Sequence, residues 1–451
     1  MKRQIARRVI PLSLLTVLCV VNCRSQQLAG KLDEYMGKAV DTSRFSGVVL
    51  VAQNGRVLVN KGYGMANVED DVPNTPQTKF RIGSLTKQFT AAAILLMQER
   101  GALDVQDSIC KYLPSCPAAW QPITIHHLLT HTSGLPDYSY KAREAGEESS
   151  PPTVVRNVEQ LRRWSLEFEP GTKFSYCNSG YVLLGHIIEK ASGKPYEDFV
   201  RENIFEPLKM MNTGYDHNGL ILKRRAAGYS LRGESLVTAL FVDMSVPFSA
   251  GGLYSTAEDM YAWERALFTG KVLSPKSLAA MLTPFKGQYG YAWYAGKLLG
   301  RNCVTHGGRI EGFMTAVEQF PDDRLTVIVL SNLDSIPANR IARDLAAVVF
   351  GQYREEVREH KALAVDPRIF DAYVGQYELS RNLIVSVTRE GDKLVAQATG
   401  HHKVELFPES EIAFFAKDLD AQITFVGDGK GGVTHAIVNI DGHTAEVKKI
   451  R

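Results

Sequence analysis

Two runs rich in β-branched residues stand near the start of the chain, Ser46–Ala52 and Arg56–Tyr63, and three more stand only beyond residue 300. The first two flank Asn54-Gly55, a hairpin signal because both residues tolerate the positive φ of a tight two-residue turn. The later runs are Asn302–His306, Gly312–Phe320 and Leu325–Ser331, the last two joined by the turn Pro321-Asp322-Asp323. Helical patterning dominates between them. Phe89, Ala92, Ala93 and Leu96 share one face of a helix that begins near Ser84 and stops at Gly101. Tyr181–Ala191, ended by Ser192-Gly193, and Thr256–Phe268 are two more helices, and Asn339–Phe350 reads as a closing one. Strands at both ends with helices between predict an α+β domain: a single antiparallel five-stranded sheet, flanked by helices, that collects both ends of the segment.

At 451 residues the chain is too long for one ordinary domain. Past a charged run, Arg354–Lys361, the composition shifts. From Phe370 onward short strand candidates alternate with turn signals at Glu390-Gly391-Asp392, Gly427-Asp428-Gly429 and Asp441-Gly442, the rhythm of a small β-sandwich or barrel. The expected organisation is a larger domain over residues 26–355 and a small all-β domain over 366–451. Phe414-Phe415 reads as core of the latter rather than as a site.

Residues 1–25 have a different character. Lys2, Arg3, Arg7 and Arg8 precede an almost wholly apolar Val9–Val21, a stretch too short to span a bilayer comfortably. This is the pattern of an export signal with cleavage after Cys23 or Ser25; lipid anchoring through Cys23 is the lesser alternative, since Asn22 suits it poorly. The expected location is periplasmic or extracellular, and no later segment is apolar and long enough to cross a membrane. Removing residues 1–25 removes five positive charges (Lys2, Arg3, Arg7, Arg8, Arg24) and no acidic ones, so the net charge goes from +3 to −2. A near-neutral chain has no electrostatic footprint for nucleic acid, and Lys223-Arg224-Arg225 reads as a solvated turn. Cys110 and Cys116, six apart, are close enough for a local disulfide in an oxidising compartment, and no Cys-x-x-Cys pair supports a zinc or thioredoxin-like reading.

Three short motifs carry chemistry. Ser84 and Lys87 are one helical turn apart, so both side chains project from one face. A serine hydroxyl becomes a nucleophile when a neighbour takes its proton, and a lysine with a depressed pKa can do so. The N–H of a serine opening a helix also points where an oxyanion would be stabilised. A second copy, Ser108 and Lys111, lies past the helix stop with no helix to align it. Tyr176-Cys177-Asn178 offers a phenol to relay protons and an amide to hold Lys87 and a substrate carbonyl; alone, it reads as a loop tyrosine beside a turn-forming asparagine. His306-Gly307-Gly308, followed by Arg309, closes a strand. Its glycines would let a substrate lie along the strand edge, with the Arg309 N–H completing an oxyanion hole.

In this order the three motifs resemble those of class C β-lactamases and their DD-peptidase and esterase relatives, a penicillin-recognising group. The stretches around them match too: Phe80–Ser84, His127–Leu135 (HLLTHTSGL), Phe168–Gly180 (FEPGTKFSYCNSG) and Ala250–Thr256 (AGGLYST), within a similarity running from Phe45 to Phe350. The resemblance implies catalytic Ser84, Lys87 and Tyr176, substrate-binding Asn178, His306 at the third-motif position, and an acyl-enzyme mechanism on a small-molecule or cell-wall peptide substrate. The motif's own reading adds Gly308 and Arg309 as further substrate-binding residues, and no cofactor is expected. Residues 366–451 resemble the small β-barrel-like modules appended to some members. Two positions depart from the pattern. The third motif often begins with lysine, a permanent cation for a substrate carboxylate, where His306 is charged only when protonated. Cys177 stands where a small polar residue is common, and an inert buried thiol is expected.

Rival readings are weaker. His126, His127 and His131 cluster, but Leu-Leu-Thr between the last two supplies no general base of the His-Glu-x-x-His kind. No Gly-x-Ser-x-Gly occurs, which removes the α/β-hydrolase reading. The alternative of another class is a non-catalytic cell-wall or ligand-binding protein on the same fold, which would not need Ser84, Lys87 and Tyr176 together.

Overall fold

The structure, a computed structural model, describes residues 12–138, 154–233, 235–353, 362–380, 383–398, 403–416, 421–427, 432–440 and 443–450. The basic start at residues 1–8, the charged run at 354–361 and the turn residues 428–429 and 441–442 lie outside the described residues. The chain divides into two compact units, Met1–Tyr353 and Arg354–Arg451.

The first unit is built on six antiparallel strands: β1 (Gly47–Gln53), β2 (Arg56–Tyr63), β3 (Tyr294–Leu298), β4 (Arg301–Ile310), β5 (Phe313–Phe320) and β6 (Leu325–Ser331). Their order is β3-β4-β5-β6-β1-β2, so β1 inserts beside β6, in register from Gly47 opposite Ser331 to Gln53 opposite Leu325. One antiparallel sheet does collect both ends. The β1–β2 turn has Asn54 at φ 52° and Gly55 at φ 77°, the left-handed pair that Asn-Gly supplies. Six strands replace the expected five. The extra one, β3, is a short, partly exposed edge strand, Tyr-Ala-Gly-Lys-Leu, without a β-branched residue or a clean alternation to mark it.

Helices cover both faces: α1 (Leu12–Ser43), α2 (Thr86–Glu99), α3 (Asn178–Ser192), α4 (Ala257–Phe268) and α5 (Ala338–Val349). Strand alternation sends Val49, Val51, Val327 and Val329 toward Leu32 and Met36 of α1 and Ile341 and Leu345 of α5. It sends Val48, Leu50, Ile328 and Leu330 into the opposite core with α2, α3 and α4. From Leu12 the expected signal segment lies in α1, which runs through Cys23–Ser25 to Ser43. Among the described residues no helix is long and apolar enough to cross a membrane. Helix α2 is buried all round from Thr86 to Met97, as an apolar helix without a polar stripe must be. Small sheets interrupt the helical layer, one with Leu253–Ser255 between Phe80–Arg81 and Gly214–Tyr215. Cys110 and Cys116 form the expected disulfide.

The second unit is a closed barrel of eight antiparallel strands between Gly375 and Lys449, the first pairing with the last through Tyr377 opposite Lys449. Closure selects the barrel over the sandwich and removes free strand edges. Phe414 and Phe415 are both buried, and Phe414 packs with Phe370, Tyr373 and Phe425 in the barrel core.

Candidate active site

The seam between the sheet and the helical layer is set by two glycines. Gly83 has φ 51°, and a Cβ there would come within 2.9 Å of the Arg309 backbone nitrogen. A Cβ on Gly308 would stand 2.1 Å from the Ile82 carbonyl oxygen. Only bare backbone lets the turn Gly83–Leu85 lie this close to β4, and Thr315 Oγ1 donates to the Ile82 oxygen (3.0 Å) to hold it there. Gly308 was expected to make room for substrate. Its missing side chain instead makes room for the turn that carries Ser84.

Ser84 is half-buried at this turn, and α2 carries Lys87 one turn on with no exposed surface at all. Lys87 Nζ donates to Ser84 Oγ (2.9 Å), Asn178 Oδ1 (2.8 Å) and the Ala250 carbonyl (2.9 Å). As an ammonium Lys87 donates to all three. As a neutral amine its two N–H bonds serve Asn178 Oδ1 and Ala250 O while its lone pair accepts from the Ser84 hydroxyl, and burial decides between the two states. Desolvation pulls Lys87 down to about 7, against the opposing pull of Asp137 and Cys177. At neutral pH a large fraction of this lysine is a free amine beside a serine hydroxyl, which is what proton abstraction requires.

Tyr176 and Asn178 arrive on a strap. Backbone bonds Glu167 N to Gly134 O (2.8 Å), Gly171 N to Thr132 O (2.7 Å) and Ser175 N to His131 O (2.9 Å) tie residues 167–175 to 131–134. The two flanking stretches HTSGL and FEPGTKFSY are thus one structural unit. Helix α3 then starts at Asn178, whose N–H donates to Asp137 Oδ2 (2.6 Å), a carboxylate placed at the helix start. The Asn178 NH₂ makes no hydrogen bond among the described residues and is free to bind a carbonyl. Burial keeps the Tyr176 phenol well above its ordinary range, outweighing the opposing effect of the nearby Ser84 side chain, so it stays protonated. Lys87 Nζ lies 4.9 Å from the Tyr176 ring centroid. Cys177 is a buried free thiol, donating to Leu135 O (3.3 Å) and pushed up to about 12 by burial, hence inert.

The third motif differs from its expectation. His306 is 2% exposed; its Nδ1 donates to Gly307 O (2.6 Å) and its Nε2 accepts from Tyr289 Oη (2.9 Å). Burial and the nearby Lys87 lower it to about 3, so it is neutral across the physiological range and no imidazolium faces the site. Strand alternation puts His306 and Gly308 on the Ile82 side and Gly307 and Arg309 on the α5 side, where a Cβ on Gly307 would meet Asn339. The exposed Arg309 guanidinium therefore projects away from Ser84, while its backbone packs against Gly83. Strand β3 pairs with β4 only from Arg301 to Thr305, leaving the 306–309 edge open on that side.

His126 shares a hydrogen bond with Tyr291 Oη (2.8 Å), and His127 Nδ1 accepts from Thr124 N (3.2 Å) as part of a capping box. Among the described residues no group of three or more His, Cys, Asp or Glu converges on a metal position. Three site partners had no individual signal in the sequence: Ala250 acts through its carbonyl, Asp137 through a helix start, and Tyr289 from a distant loop. Ala250 does open the AGGLYST stretch, which is where a search would have begun.

A serine bonded to a buried, nearly neutral lysine, with a phenol beside them at the seam of an antiparallel sheet and a helical layer, defines the serine β-lactamase and DD-peptidase superfamily of hydrolases. Residues 28–351 match the Beta-lactamase family, and the chain belongs to it. Residues 359–449 match a domain of unknown function, DUF3471. A penicillin-binding protein of Bacillus subtilis (strain 168) is 31% identical over 434 residues, covering 90% of this chain and 96% of the relative. The structure of an octameric penicillin-binding protein homologue from Pyrococcus abyssi is 28% identical, with TM-score 0.68 over 93% of this chain and 99% of the other. A D-amino acid amidase from Ochrobactrum anthropi SV3 shares the fold at 24% identity, with TM-score 0.63 over 74% of this chain and 99% of its own.

Proposed function

We propose that the chain hydrolyses amide or ester bonds through a covalent acyl-enzyme on Ser84. The Lys87 amine takes the Ser84 proton as Oγ attacks the substrate carbonyl. The N–H groups of Ser84 and Arg309 receive the oxyanion, and the Asn178 amide binds the substrate carbonyl chain. The proton held on Lys87 passes through the Tyr176 phenol to the leaving nitrogen or oxygen. Water then releases the acyl group by the reverse path. The observation that carries this reading is the 2.9 Å bond from a fully buried Lys87 to Ser84, with the lysine lowered to about 7.

The substrates we assign are D-alanyl peptides of the cell wall and simple esters, on an exported enzyme of the carboxypeptidase or esterase type. A penicillin-binding relative supports β-lactams as acylating ligands. With His306 neutral and Arg309 turned away, the described residues offer no fixed cation to a substrate carboxylate, which favours esters over D-alanyl peptides that end in one. The test is a panel of p-nitrophenyl esters, D-alanyl peptides and a chromogenic cephalosporin with wild type and Ser84→Ala. Turnover of any of them that vanishes in Ser84→Ala supports the reading; turnover that survives overturns it.

A further inference from the structure

His131 is 1% exposed and sits in the left-handed region at φ 55°, uncommon for a residue other than glycine but more accessible to histidine than to most. That backbone twist lets one residue grip the chain on both sides of Tyr176. The His131 carbonyl accepts from Ser175 N (2.9 Å), and its Nδ1 accepts from Cys177 N (3.1 Å). The imidazole face lies 4.2 Å from the Tyr176 ring at 37°, with the Tyr289 ring 4.8 Å away. Because Nδ1 is the acceptor, the proton of the neutral ring is on Nε2, which is buried without a hydrogen-bond partner among the described residues. A buried donor without a partner is costly, so the Nδ1 bond and the ring contacts must offset it.

The imidazole suits this place for a further reason. It must present an acceptor to the Cys177 amide close to Lys87, which acts on it. A carboxylate would accept equally well but would hold Lys87 protonated, while a lysine or arginine has no acceptor. Burial first, and Lys87 after it, keep His131 uncharged.

We propose that His131 is a positioning residue for Tyr176: two hydrogen bonds fix the backbone before and after the tyrosine, and the imidazole face sets the plane of the phenol against Ser84. It acts through Tyr176 and does not itself touch substrate. The proposal rests on the acyl-enzyme reading above.

The test measures acylation by a fluorophosphonate, and kcat and KM on a p-nitrophenyl ester, for wild type, His131→Ala and His131→Asn, each also combined with Tyr176→Phe. Displacing a proton carrier by about 1 Å costs about 100-fold, so His131→Ala should lower kcat by roughly 10- to 100-fold with KM little changed. Asparagine tolerates the left-handed backbone and can still accept from Cys177 N, so His131→Asn should recover part of that loss. In the Tyr176→Phe background, where the hydroxyl to be positioned is gone, both substitutions should matter far less. Equal losses with and without the Tyr176 hydroxyl would show that His131 merely packs, and would overturn the proposal. Should His131→Ala not fold, the His131→Asn pair decides by the same comparison. Wild type that is not labelled at Ser84 takes down both readings; labelled wild type with equal losses takes down only this one.

Discussion

Replacing Lys87 with methionine separates the lysine's chemistry from its packing, because methionine fills the same buried channel without a charge. In the native state burial lowers Lys87 from 10.5 to about 7, equivalent to about 5 kcal/mol against the ammonium. Between these two values the unfolded chain binds a proton that the folded one has released. Lys87 therefore makes wild type more stable as pH rises from 7 toward 10.5, and below 7 that contribution is absent. The slope is about 1.4 kcal/mol per pH unit, so from pH 6 to pH 9 wild type should gain about 2.7 kcal/mol relative to Lys87→Met. The lost bonds to Asn178 Oδ1 and Ala250 O cost Lys87→Met about 1–3 kcal/mol each, but nearly equally at every pH, so they cancel in the difference. Urea unfolding of both proteins across this range reads the difference directly. In parallel, wild-type kcat/KM on a neutral ester should fall about tenfold per pH unit below 7 and level off above it, while Lys87→Met loses about 100-fold or more. Parallel stability curves, or an activity midpoint near 10, would refute a neutral Lys87 as the proton acceptor.

Other outcomes follow from the same contacts. Tyr176→Phe should slow acylation by about 100-fold, and combined with Lys87→Met the loss should be far less than the product, as expected of one proton path. Gly308→Ala forces a Cβ against the Ile82 carbonyl, so it should cost about 1–3 kcal/mol in urea unfolding and slow acylation as well; an unperturbed rate would show that the Ser84 turn does not depend on β4. Glu318 in β5 is 3% exposed, and burial pushes it up to about 8, so wild type should lose stability as pH rises from 4.5 through 8. Glu318→Gln should remove about 3.5 kcal/mol of that decline between pH 5 and 8, seen as a flatter dependence of the unfolding midpoint. A chain ending at Tyr353 should fold cooperatively on its own, since its two cores lie between Leu32 and Val348 and the barrel core begins at Phe370; aggregation of that fragment would contradict their independence.

The parts of this architecture with strong local physics were legible in advance. Asn54-Gly55 marks its hairpin because few other pairs accept two positive φ angles, and Ser84 and Lys87 share a face because a helix allows little else. Strand β3 escaped because an edge strand half in solvent needs neither alternation nor β-branched residues. The third motif was expected to present a charged histidine and an arginine to a carboxylate, and the structure places neither charge there. Whether His306 carries charge depends on its burial and on Lys87, and whether Arg309 faces the site depends on strand alternation. Neither can be read from the residues His-Gly-Gly-Arg themselves. Gly308 was rightly singled out for lacking a side chain, but the group that needs the space is Ile82. Ala250 and Asp137 show the same limit, because a carbonyl acceptor or a helix-start carboxylate is defined by where the backbone passes.

The central claim is that Ser84 becomes covalently acylated with Lys87 as its base. Mass spectrometry of the fluorophosphonate-treated full chain, followed by digestion, locates the adduct to a residue. The account predicts one adduct on the peptide containing Ser84, formed with an apparent pKa near 7 in wild type. It should be absent from Ser84→Ala and formed at least about 100-fold more slowly in Lys87→Met. An adduct on Ser108 or any other residue, or one that persists in Ser84→Ala, would contradict it.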